Sequence, residues 1–314
     1  MLGGTQDNAS LRGPSTASVS EPDGADPWTH VFLDIWAGGD GFATHVDPFD
    51  EGIVYFEHQN GDMRRKRADG PVLSGRGDRR IRPRSAEGEP ALRFAWDTPL
   101  FPSPHQEGRL YCAAQFVFRS EDRGDSWERV SPDLTVPGEG VRGRGSILDV
   151  SESRIDPERL WAGAGRGRVW TTSDGGESWT AVGEGLPRTA FRRVVASPHE
   201  VETAFVALSG RESGDFQAYA FRTDDGGKSW QSISDGLTES VNVLIEDPVR
   251  PGVLYAGTDL GVCASTDGGA TWISLGATLP SSSVVDLAAH PAGAELVAVT
   301  HGLSAFVLDI SSLR

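Results

Sequence analysis

The octet "TDDGGKSW" (223–230) crowds an aspartate, two glycines, a hydroxyl residue and a tryptophan into one short stretch. Met singly, it reads either as a reactive or metal-binding loop or as a device for turning the chain. Its recurrence decides between the two. "SEDRGDSW" (120–127), "TSDGGESW" (172–179) and "STDGGATW" (265–272) share the pattern hydroxyl-x-Asp-x-Gly-x-Ser/Thr-Trp. The aligned aspartates Asp122, Asp174, Asp225 and Asp267 lie 52, 51 and 42 residues apart. Such a period is the mark of a repeat architecture.

A second marker precedes the octets and reaches further: an apolar run, a turn with proline, then another apolar run. Its copies are "THVDPFDEGIVYFEH", "LFPSPHQEGRLYCAAQ", "SRIDPERLWAGAG", "VVASPHEVETAFVALS", "LIEDPVRPGVLYAGTD" and "LAAHPAGAELVAVTH". Each octet aspartate follows its proline by 17 to 19 residues, except where "GRESGDFQAYA" (210–220) lengthens a hairpin and makes it 27. Each unit therefore reads as four short strands. In the clearest copy they are "VNVLIED", "VLYAGTD", "GVCAST" and "TWISLG", with Pro248 at the A–B turn, where a missing N–H costs nothing.

Four-strand units of this length predict an all-β fold, a β-propeller of four-stranded antiparallel blades with the octets between strands C and D. Five units look complete, starting near residues 41, 93, 145, 190 and 241. The chain opens on what read as strands B, C and D of one blade and closes on strands A, B and C of another. That gives seven blades, or six if the N-terminal strand completes the last blade. The expected organisation is one propeller domain over 1–314, with 14–27 a flexible insert and the first and last blades incomplete. Open blade edges invite pairing, by strand exchange or by a partner chain.

Composition narrows the function classes. A formal net charge of −16 argues against a nucleic-acid partner, which calls for clustered Lys and Arg. The one basic run, Met63-Arg64-Arg65-Lys66-Arg67, reads as a solvated strand or hairpin edge. Cys112 and Cys263 sit in apolar, strand-like text and read as buried free thiols, and no Cys/His pair has metal-ligand spacing, so no metal or other cofactor is expected. No apolar run approaches the ~18 residues of a membrane span. The opening "MLGGTQDNAS" lacks the charged and apolar regions of a signal peptide, so a soluble protein of unspecified compartment is expected.

The octets resemble the Asp-box, or BNR, repeat of sialidases, sortilin-type receptors and xyloglucanase-type glycoside hydrolases. With "GGTQDNAS", "GGDGF", "RFAWDTPLFPSPH" and "VTHGLSAFVLD", nearly the whole chain resembles bacterial BNR-repeat proteins labelled as glycosyl hydrolases or sortilin-like. The resemblance implies a propeller, and for such a fold function has to be argued from a site.

Four-fold recurrence gives the octet a structural role. Each aspartate accepts backbone hydrogen bonds in a C–D turn, while Trp127, Trp179, Trp230 and Trp272 wedge between blades. If A–B and C–D turns share one face, ligands belong at the other, among the B–C and D–A loops. Those loops carry Gln6, Asp7, Asn8, Gly39, Asp40, His58, Gln59, Asn60, Trp96, Asp97, Arg142, Arg144, Arg166, Arg168, Asp259 and His301. His58, Asn60, Trp96, Arg166 and His301 are the ligand-binding candidates. Asp7, Asp40, Asp97 and Asp259 are the carboxylates from which a glycosidase would need a pair ~5–10 Å apart.

Tyr55, Tyr111 and Tyr255 occupy equivalent strand B positions and read as core, so the sialidase-type nucleophile has no evident counterpart. The xyloglucanase-type catalytic motif is not evident either. "GAGRGR" (163–168) lies between strands B and C with no helix to receive a phosphate. The first reading is a non-catalytic propeller that binds a glycan, peptide or protein; the alternative is a glycoside hydrolase-like enzyme using mouth carboxylates.

Overall fold

The structure is a computed structural model that describes residues 1–5, 7, 9–14, 28–32, 39–71, 76–138, 145–276 and 279–314. Gln6, Asn8, Arg142, Arg144 and nearly all of the 14–27 insert lie outside the described residues.

Seven antiparallel sheets succeed one another along the chain, and in each the strand order follows the sequence. The fold is an all-β, seven-bladed propeller, and the described residues include only short 3-10 turns as helix. The N-terminal strands Leu2–Thr5, Ala9–Arg12 and Thr29–Phe32 pair with one another as a sheet of their own, which rules out the six-blade count. Val284–Ala289, Glu295–Thr300 and Ala305–Asp309 make the three-stranded seventh sheet. No helix among the described residues is long and apolar enough to cross a membrane. By internal packing the chain divides into two compact units. Met1–Pro137 with Arg144–Ile147 carries blades 1 to 3, and Gly138–Gly143 with Leu148–Arg314 carries blades 4 to 7.

In the second unit the clearest repeat, blade 6, has strands A to D at Val241–Glu246, Leu254–Thr258, Gly261–Ser265 and Ile273–Leu275. Strand B is hydrogen-bonded on both edges and buried on both faces, so its text is continuously apolar or small rather than alternating. Its aromatic position is filled by Trp161, Phe205 and Tyr255, all essentially inaccessible. Two residues on, only a small side chain fits, because strand A of the following blade presses against it. A Cβ on Gly163 would fall 1.8 Å from the Phe191 ring, and one on Gly257 would fall 2.8 Å from Val284.

The octets close the C–D hairpins the same way each time. Asp225 accepts from the Ser229 N–H at 2.9 Å and the Ser229 hydroxyl at 2.6 Å, and from the Thr223 hydroxyl at 2.8 Å. Thr223 Oγ1 in turn accepts from the Gly227 N–H at 2.9 Å. Asp122, Asp174 and Asp267 repeat this arrangement. These bonds favour the ionised carboxylate and hold Asp174, Asp225 and Asp267 down at about 2. Gly227 takes a φ of 87°, where a Cβ would in addition meet Val182 at 2.7 Å. The tryptophans reach back to the preceding blade: Trp230 Nε1 donates to Val182 O at 2.6 Å and Trp272 Nε1 to Ile233 O at 2.8 Å. Trp230 also meets Trp161 edge to face, centroids 6.2 Å apart.

In the first unit, blade 2 runs through Gly41–Val46, Ile53–His58, Asp62–Arg67 and Asp78–Arg80. Asp47 in its A–B turn caps the N–H groups of Phe49 and Asp50 and accepts from the buried Tyr55 hydroxyl at 2.7 Å. Tyr55, Tyr111 and Tyr255 are all core residues.

Three expectations change here. The basic run is a strand whose charges are engaged rather than solvated: Arg64 pairs with Asp62 and Asp78, and buried Lys66 donates to Val31 O at 2.7 Å and Pro71 O at 2.5 Å. Strand A of blade 3 begins at Leu100, not near 93, because Phe94 and Ala95 are buried in a turn where the Thr98 hydroxyl donates to Ala95 O. Cys112 is a buried free thiol, whereas the Cys263 thiol is only half-buried.

Candidate ligand-binding site

In the second unit the octets sit beside the A–B turns, since Gly175, Gly226 and Gly268 donate N–H groups to Glu158 O, Glu202 O and Gly252 O at 2.9–3.0 Å. B–C loops and strand A beginnings therefore occupy the opposite end. There the A strands of blades 5, 6 and 7 each carry a bulge, at Phe191/Arg193, Val241/Val243 and Val284/Asp286. A bulge adds one residue and re-aims its side chain. The extra residues are Arg192, Asn242 and Val285.

Around two of these a polar cluster forms. Asp259, from the B–C loop of blade 6, pairs with Arg211 at 3.0 Å, and Arg211 comes from the long B–C loop of blade 5. The other Asp259 oxygen accepts from Asn242 Nδ2 at 3.1 Å and from the Ser283 hydroxyl at 3.3 Å. Ser283 also accepts from Asn242 at 3.1 Å, and its carbonyl takes the His301 N–H at 2.8 Å. Arg166 bridges to Ala190 by backbone pairing, which sets the blade 4 loop beside strand A of blade 5. The A strands converge here: Arg193 of blade 5 reaches Asp286 of blade 7 at 2.7 Å. Arg192 is exposed, yet the protein around it, Arg211 next, lowers its pKa.

The corresponding loops of the first unit hold a different arrangement. Asn60 N–H donates to Trp96 O at 3.0 Å, stitching the B–C loop of blade 2 to the turn that leads into blade 3. The fully buried Glu57 accepts from the Gly61 N–H at 3.0 Å. Burial, then the charge of Asp97, pushes the Glu57 pKa well above the ordinary carboxyl range. Asp97 itself is exposed, and Trp96 beside it is half-buried. His58 packs against Gly39, where a Cβ would fall 2.8 Å from Nδ1. Asp40 accepts from the backbone N–H of Asp7 at 3.1 Å, and Asp7 holds a φ of 60°.

Neither a family model nor a curated protein matches this chain. Solved structures do. A GH74 xyloglucanase from Xanthomonas campestris superposes with a TM-score of 0.65 at 21% identity, over 86% of this chain and 45% of that one. The extracellular domain of the hybrid two-component system BT3049 from B. thetaiotaomicron gives 0.61 at 11%, over 90% and 34%. YCF48 bound to D1 peptide gives 0.57 at 15%, over 90% and 80%. The likeness is one of fold. This chain spans less than half of the xyloglucanase, and 27% of an ancestral GH74 enzyme that it also resembles.

Of the residues singled out in sequence, Asp7 comes together with Asp40, and Asn60 with Trp96. Asp259 joins His301 through Ser283. Arg211, Asn242 and Ser283 escaped the sequence reading, as did two strand residues, Glu57 and Arg192. Glu57 stands two positions after Tyr55, on the core-facing parity of its strand, and an acid there was the available signal. Arg192 was legible as an interruption of alternation, because the buried Phe191 and Val194 are three apart.

Proposed function

We propose that this is a β-propeller of the BNR type that binds a glycan, peptide or protein through the end bearing its B–C and D–A loops, without transforming the ligand. One observation carries the reading. The carboxylate at the centre of the second unit's cluster, Asp259, is already held by Arg211, Asn242 and Ser283. An acid so engaged has its oxygens already occupied by three donors, which suits orientation of those donors and leaves no free oxygen aimed at a ligand proton. Strand-borne donors at preset positions suit recognition. The peptide-bound state of one structural neighbour supports such a use of the fold.

The test is a glycan array and a peptide array probed with the full chain, with every hit incubated and reanalysed by mass spectrometry. Binding with the ligand recovered intact supports the reading; loss of the ligand through hydrolysis rejects it.

Glycoside hydrolysis is the second reading, favoured by Glu57 and Asp97. A buried carboxyl whose pKa is raised by burial and then by the charge of a second acid, Asp97, is the kind of asymmetry that acid-base chemistry on sugars uses. Release of reducing ends from a β-glucan panel, abolished by both Glu57→Gln and Asp97→Asn, would establish it.

A further inference from the structure

Arg192 stands apart from the arginines around it. Arg193 is committed to Asp286 and, at 3.9 Å, to Asp149. Arg211 is committed to Asp259. Arg192 is the extra residue of a bulge, it is exposed, and its side chain makes no ion pair or hydrogen bond with any described residue. Arg211, Glu212 and Asp259, all from B–C loops, lie near enough for their charges to act on it. The protein around this exposed residue, and then the charge of Arg211, also disfavour its own charge, so an arriving anion relieves an existing cost.

From this geometry we infer that Arg192 anchors a single carboxylate of the ligand, a deepening that rests on the binding reading above. The planar guanidinium matches a carboxylate through two parallel hydrogen bonds. A phosphate dianion suits the place less well, because the charges of Glu212 and Asp259 reach the same guanidinium. A polyanion is disfavoured by a chain of net charge −16. The carboxylate belongs either to an acidic sugar or to a peptide terminus, and Asn242 and Ser283 lie in the same cluster to meet the neutral remainder.

Isothermal titration calorimetry on the full chain separates these, using probes that differ only in the charged group. Glucuronate is compared with glucose, a tripeptide free acid with its amide, and inorganic phosphate serves as a third anion. One acid binds and its neutral twin does not. Arg192→Gln weakens that binding by about 10- to 100-fold, with Arg192→Lys in between, since a charge-assisted pair is lost. Unchanged melting of Arg192→Gln shows that the fold is intact. Binding of glucuronate alone assigns a sugar acid, and binding of the tripeptide acid alone assigns a peptide terminus. Phosphate binding as tight as either acid, acid binding that survives Arg192→Gln, or silence of both acids overturns the assignment. Array hits that are neutral and indifferent to Arg192→Gln would leave the binding reading standing without it, whereas absence of any array hit removes both.

Discussion

Gly163→Ala is the most demanding test of how one blade seats on the next. Judged by chain entropy alone, alanine in a strand would gain about 0.5–1 kcal/mol over glycine. Packing opposes it. The added Cβ would lie 1.8 Å from Phe191 Cζ and 2.1 Å from Cε1, and the ring must retreat until these exceed 3.0 Å. Phe191 is buried in one cluster with Trp161, Val194 and Leu208, so it has little room to do so. Overpacking of this kind costs about 1–3 kcal/mol, and a clash this deep belongs at the upper end. A net loss near 2 kcal/mol is expected, a drop of about 3 °C in thermal midpoint for a chain of this size. Phe191→Leu alone costs about 1–2 kcal/mol through the volume it vacates. In the double variant the new methyl occupies that volume, so the loss is smaller than the sum of the singles by about 2 kcal/mol. Phe191 also precedes Arg192, and the clash should disturb anion binding in Gly163→Ala and spare it in the double variant. Urea titration of the four proteins decides. A neutral Gly163→Ala, or strictly additive losses, would refute the packing described here.

Other outcomes follow from named groups. The octet aspartates have folded values of about 2 against an ordinary 3.8, so the stability they confer is present above pH 3.8 and is lost as pH falls through 2. Asp225→Asn combined with Asp267→Asn should therefore lower the melting temperature at pH 6 and flatten its decline between pH 4 and pH 2. Glu57 has the opposite sign. Its folded value lies well above 4.5, so its contribution is intact below pH 4.5 and is lost as pH rises toward the folded value. The melting temperature of Glu57→Gln relative to the unsubstituted chain should thus improve from pH 4 to pH 8, and a constant difference would contradict it. Asp259→Asn frees Arg211 beside Arg192 and should tighten carboxylate binding in calorimetry.

The repeat made the fold legible because its signals are local. A turn carboxylate, a glycine at positive φ and a tryptophan indole reaching the preceding blade recur at readable spacing, and the strands of blade 6 stand within two residues of their sequence placement. Blade 3 was harder. In "RFAWDTPLFP" the apolar residues continue through a buried turn, and Pro99 and Pro102 restrict the strand to Leu100–Pro102. The site was only partly legible. Loop position was enough to nominate Asp259 and His301, yet Asn242, Arg211 and Ser283 come from three different segments and meet only through tertiary contact. Arg192 and Glu57 lie within strands, outside a search confined to loops. Lys66 shows the same limit from the other side, since a charge run that looks solvated can include a lysine buried against backbone carbonyls.

The central claim, that recognition occurs at the B–C loop end and not at the octet end, is open to one direct measurement. Hydrogen–deuterium exchange on the full chain, with and without a ligand taken from the arrays, reads protection segment by segment. Slowed exchange is predicted at 165–168, 190–193, 210–213, 240–243, 258–261 and 282–284, with the octets at 172–179, 223–230 and 265–272 unchanged. Protection centred on the octets, with the bulges of the A strands unaffected, would contradict it.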